Sequence, residues 1–144
     1  MPVDPNASIE VSAYQWVPPS AAGFVKDMRV RWALEEIGLP YRERLFGGAG
    51  GQKSADHLAE QPFGQVPVYR EAGLSLFESG AILLHIGEKD ERLLPRDEAG
   101  RARAISWMFA ALNSVEPFLH MLFMVRFVAD GTDWQKTGMD SIRP

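Results

Sequence analysis

Ile9, Val11 and Ala13 alternate with Glu10 and Ser12, the period of two expected of a strand with one buried face. Val17-Pro18-Pro19-Ser20 ends that pattern. From about Ala22 to Ile37 the apolar residues Val25, Met28, Trp32 and Ile37 recur at helical spacing, and Gly38 followed by Pro40 supplies a stop. Tyr41 to Leu45 reads as a second strand. A strand, a helix and a strand in succession require a right-handed crossover and a parallel pair. Beyond a glycine-rich stretch and a poorly patterned segment at 54–60, Val68 to Glu71 and Leu74 to Phe77 read as short strands turning at Ala72-Gly73. Ser79 is then placed to N-cap a helix carrying Ile82, Leu83 and Ile86. The expected order is βαβ, then ββα, in an α/β domain over residues 6–94.

Leu93-Leu94-Pro95-Arg96 reads as a linker. Asp97 can cap a long helix with Glu98 in its first turn and Ala102, Ile105, Phe109, Leu112 and Val115 as its apolar stripe. Pro117 removes one helical hydrogen bond and is expected to kink or interrupt that helix. Phe118 to Val128 is apolar enough to continue it, and the run from Ala129 to Asp133 breaks it. A partial all-helical domain over 97–144 follows.

With 144 residues, 46% of them apolar, the chain suffices for one ordinary domain, or a small domain and part of another. The net charge is −4 and the basic residues are interspersed with acids, which argues against nucleic acid or anionic lipid as partners. No unbroken apolar run reaches the 18 or so residues of a membrane span, and MPVDPNAS lacks the pattern of a signal peptide. A cytoplasmic protein is expected. With no cysteine, the chain has no thiolate of its own and no Cys-x-x-Cys redox pair.

The densest information lies in QPFGQVPVYREAGLSLFESGAILLHIG, residues 61–87. Val66-Pro67 can adopt a cis bond at small cost and so turn the N–H and C=O of Val66 outward, an edge suited to a peptide ligand. The helix after Glu78-Ser79 offers an N-terminus that attracts carboxylates. Together with MRVRWALEEIGLPY at 28–41 and LFESGAILLHI at 76–86, these features resemble the thioredoxin-like N-terminal domain of the glutathione S-transferase family. The resemblance covers roughly residues 8–125. It implies a thioredoxin-like fold whose missing thiol is that of glutathione, held as co-substrate, with no metal.

Residue by residue, the resemblance implies that Val66 and Pro67 clamp the glutathione backbone. It implies that Ser79 and its amide hold the γ-glutamyl carboxylate while Glu78 meets the ammonium. Lys53 falls where the family often supplies a cation for the glycyl carboxylate. Glutathione's thiol is mostly protonated at neutral pH, and the family activates it with a Tyr or Ser hydroxyl just after strand one or at the start of helix one. Tyr14 and Ser20 both fall there, and Ser20 stands nearer the helix. The implied reaction is attack of the thiolate on a small electrophile, in a protein that is commonly a homodimer. The family's helical domain usually has five or more helices. Two alternatives stay open: a non-catalytic glutathione-binding or interaction module, and a truncated, inactive product of a longer transferase.

Other residues read more plainly. Gly47 to Ser54 nearly spells a phosphate loop, but Gln52 stands where its sixth-position glycine belongs, so a connector is expected. Arg29 and Arg31 read as surface or interface charges, and His85 as a packed core residue. His57 and His120 lack neighbours at metal-binding spacing, and no metal is predicted.

Overall fold

The computed structural model describes residues 2–19, 21–47 and 50–142, which divide into two compact units, residues 1–101 and 102–144. The first contains β1 (Ile9–Tyr14), α1 (Asp27–Ile37), β2 (Tyr41–Phe46), a 3-10 turn (Gly51–Lys53), α2 (Ala55–Glu60), β3 (Val68–Glu71), β4 (Leu74–Phe77) and α3 (Ser79–Gly87). The strands form one sheet in the order β2-β1-β3-β4, with β1 and β2 parallel and the other pairs antiparallel. This is the βαβ-ββα order of a thioredoxin-like domain.

One sheet face carries the core. Ile9, Val11, Tyr41 and Tyr69 pack with Val30, Ala33 and Leu34 of α1 and Ile82 and Ile86 of α3. The other face is charged. Glu10 accepts hydrogen bonds from Arg42 and Arg70, and Glu60 at the end of α2 accepts from Arg44 at 2.9 Å and from Arg70 at 2.6 and 2.7 Å. The registers Glu10↔Arg42 and Glu10↔Arg70 set these side chains beside one another, so α2 is fastened to the sheet by ion pairs. Arg70, then Arg44, outweigh the effect of burial and hold the Glu60 carboxyl at about 2.

Helix α1 departs from the sequence pattern. It begins at Asp27 rather than near Ala22, because Pro18, Pro19 and a left-handed Gly23 hold the preceding residues in turns. Its buried face is Asp27, Val30, Ala33 and Leu34, whereas the expected stripe residues Met28 and Trp32 are exposed. The Gly38 stop stands as expected, in the left-handed conformation.

Helix α4 spans Glu98–Val128 and starts where Asp97 accepts the Gly100 N–H at 2.7 Å. It does not break at Pro117. The backbone runs through a π-helical segment, Ala111–Val115, immediately before the turn that holds Pro117, where the missing N–H costs little. A second π-helical segment, Met124–Val128, precedes α5 (Asp133–Ile142). Counting unbroken apolar runs therefore underestimated this stretch: as one 31-residue helix it is long and apolar enough, by length and composition, to cross a membrane. In the second unit Val125 and Ala129 are buried, whereas Trp107, Phe109, Phe118 and Phe127 are more than half exposed.

Candidate functional site

Four chain segments meet at one end of the sheet. The register Val68↔Phe77 makes residues 66–67 and 78–79 the continuations of paired strands, so the start of β3 and the start of α3 lie side by side. The antiparallel pair Val11↔Tyr69 brings the C-terminal end of β1 to the same end. Asp27, opening α1, acts on the Tyr14 phenol, which closes β1.

The Val66–Pro67 peptide is cis, and both residues are buried. Among the described residues, no hydrogen bond engages the N–H or C=O of Val66. The loop before it is tightly built. The Gln61 side chain accepts the Phe63 N–H at 2.7 Å, and Lys53 Nζ donates to the Phe63 carbonyl at 3.0 Å. Gly64 has φ +60°, and a Cβ there would lie 2.6 Å from Lys53 Cδ and 3.1 Å from the Gln52 carbonyl oxygen, so a side chain would be strained in the backbone and would require Lys53 to move.

Glu78 is exposed and sits at φ 69°, ψ 113°, a conformation that L-residues other than glycine rarely adopt. Ser79 is buried and is the first residue of α3, so the cap position falls to Glu78, and no side chain caps this helix. Ser79 therefore does not cap its own helix as expected. Its Oγ instead accepts a hydrogen bond from Arg29 Nη1 at 3.2 Å. Arg29, read from sequence as a surface or interface charge, thus reaches the site. Arg31 pairs with Asp27 at 3.4 Å and with Glu43.

Tyr14 is half-buried, and burial, then the negative charge of Asp27, push its phenol up. It stays a neutral hydroxyl, able to donate a hydrogen bond but not to act as a base near pH 7. Asp27 is itself raised by burial against the opposing pull of Arg31. Ser20 lies outside the described residues. The remaining histidines of the first unit are structural: His57 is buried, and the half-buried His85 lies 3.2 Å from Glu71 and stacks edge-on with Tyr69.

A thioredoxin-like sheet with a cis-proline edge beside a helix N-terminus defines the class. Residues 20–88 match the family description "Glutathione S-transferase, N-terminal domain". Over that stretch the chain is similar to the N-terminal domain of the glutathione S-transferase family. It is 35% identical over 94 residues to the disulfide-bond oxidoreductase YfcG of Escherichia coli (strain K12), a match covering 60% of this chain and 44% of that protein. It is 38% identical over 84 residues to glutathione S-transferase 4 of Zea mays, covering 58% and 35%. A glutathione transferase from Burkholderia graminis, solved with two glutathione molecules bound per subunit, superposes with a TM-score of 0.78 at 27% identity, covering 93% of this chain and 55% of that one. The chain thus spans less than half the length of these curated relatives.

Proposed function

We propose that this chain binds glutathione at the sheet end built from Val66, Pro67, Glu78 and Ser79, and joins its thiol to a small electrophile. The observation that carries this reading is the Val68↔Phe77 register, which sets an open peptide edge beside a helix N-terminus and an exposed carboxylate. A tripeptide with a carboxylate and an ammonium at one end matches those groups. The N–H and C=O of Val66 pair with its backbone, the α3 N-terminus and Ser79 take the γ-glutamyl carboxylate, and Glu78 takes the ammonium. Lys53, held at the loop before Val66, takes the glycyl carboxylate. The relatives solved with glutathione bound support the same reading.

In the reaction a hydroxyl hydrogen bond lowers the thiol pKa, the proton leaves to solvent, and sulfur forms the new bond to the electrophilic carbon. The electron pair of the bond broken there departs with the leaving group or, in an addition, takes up a proton from water. Ser20 is our assignment for that hydroxyl, because it stands nearer helix α1 in the sequence and follows Pro18-Pro19, whose fixed φ angles stiffen the loop. Calorimetry with reduced glutathione tests binding, and turnover with a generic electrophile tests chemistry. Saturable heat at millimolar ligand is expected, with a roughly ten- to hundredfold lower rate for Ser20→Ala and a near-unchanged rate for Tyr14→Phe. No heat from folded protein overturns the site, and heat without turnover identifies a binding module.

The same reading includes a homodimer. Trp107, Phe109, Phe118, Leu119 and Phe127 expose large apolar surfaces that association would cover. Light scattering is expected to give twice the 16.0 kDa chain mass, and a 16.0 kDa species across a hundredfold range of concentration would exclude it. A cytoplasmic site of action, without membrane or nucleic-acid partner, belongs to this reading too, since a chain without cysteine depends on glutathione kept reduced.

A further inference from the structure

The two backbone groups that flank Val66-Pro67 are both held by buried side chains rather than by sheet partners. On one side, the β1–β3 ladder ends at Val11↔Tyr69, and the next N–H, that of Val68, donates to Ser12 Oγ at 2.7 Å. On the other, Gln65 C=O faces His57 Nε2 at 2.7 Å. A carbonyl can only accept, so His57 Nε2 carries the proton. Its Nδ1 then presents a lone pair to Arg44 Nη2 at 3.5 Å, and its ring packs edge-on against Phe46 at 4.6 Å. Ser12 is 0% and His57 1% exposed, so neither touches solvent or a ligand directly. Ser12 reaches the edge from β1, 56 positions from Val68, and His57 reaches it from α2, eight positions from Gln65.

We propose that Ser12 and His57 are the positioning residues of the Val66 edge, fixing Gln65 O and Val68 N so that the N–H and C=O of Val66 stay aligned for a peptide ligand. This rests on the glutathione reading for its ligand, though not for its geometry. A bound backbone needs both hydrogen bonds from Val66 at once, and a shift of about 1 Å at either flank breaks that alignment.

The experiment uses the full chain and two matched pairs of variants. Ser12→Ala removes the acceptor and Ser12→Thr keeps it. His57→Phe keeps the ring against Phe46 and removes the donor, while His57→Gln keeps an N–H for the Gln65 carbonyl. Glutathione affinity is measured by calorimetry, and exchange of the Val68 amide by hydrogen exchange without ligand. Ser12→Ala and His57→Phe are expected to weaken glutathione about tenfold each, the cost of one buried hydrogen bond, with Ser12→Thr and His57→Gln recovering most of it. The Val68 amide should exchange at least tenfold faster in Ser12→Ala than in Ser12→Thr. Wild-type affinity in Ser12→Ala and His57→Phe overturns the proposal, as does an equal loss in all four variants, which would mark a general packing role. If wild type itself binds no glutathione, the ligand reading fails, and Val68 exchange alone decides the anchoring: unchanged exchange in Ser12→Ala overturns it.

Discussion

Replacing Glu78 with glycine is expected to weaken glutathione binding ten- to a hundredfold while leaving the fold as stable as before or more so. Glu78 holds φ 69° and ψ 113°, a conformation glycine adopts freely and glutamate does not, so the wild-type residue carries roughly 1–3 kcal/mol of backbone strain. Its side chain is exposed and makes no cap hydrogen bond, so among the described residues no side-chain hydrogen bond at the helix start offsets that strain. On the proposed glutathione site its value lies with the ligand: a carboxylate aimed at an ammonium gives a charge-assisted hydrogen bond of about 1.5–3 kcal/mol, or about one to two decades in affinity. Ser79→Ala should lose affinity with no gain in stability, because its Oγ is already engaged by Arg29. Calorimetry paired with thermal melts separates the cases. A Glu78→Gly protein that binds as wild type does would show that the strain serves something other than glutathione.

The sheet, the hairpin and α3 were legible because their signals are local: alternation at 9–13, the Ala72-Gly73 turn, Val66-Pro67, and the apolar run after Ser79. What stayed hidden depends on distant pairing. Ser12 looks like a solvent-side strand residue, yet its hydroxyl meets an amide 56 positions later. His57 lies in a segment without hydrophobic period, and its burial arises from the 61–66 loop folding over α2. The apolar letters of α1 misled because Met28 and Trp32 lie outside the first unit's core, while a carboxylate, Asp27, is buried in its first turn. Periodicity reports which residues share a face; it does not report which face is covered. The charged side of the sheet was invisible for the same reason, since Glu10, Arg42, Arg44 and Arg70 read as solvent positions until α2 is laid across them.

That charged face yields the largest expected stability effect. Glu60 takes hydrogen bonds from Arg44 and Arg70, with only 16% of its side chain exposed, and its carboxyl is held at about 2 against an ordinary 4.5. A depressed carboxylate contributes stability that is present above its unfolded pKa and disappears as pH falls through the folded one. The contribution of Glu60 is therefore complete above pH 4.5 and fades toward pH 2. Glu60→Gln should cost about 2 kcal/mol at pH 7, the scale of hydrogen bonds to a charged group, and lower the melting temperature by roughly 10 °C for a unit of this size. Because protonation removes the same charge from wild type, the two proteins should converge as the pH falls from 4.5 toward 2. Denaturant unfolding at pH 7, 5, 4 and 3 checks both claims. A deficit that stays constant across that series would mean that Glu60 acts through its shape and packing, and that α2 is not fastened to the sheet by charge.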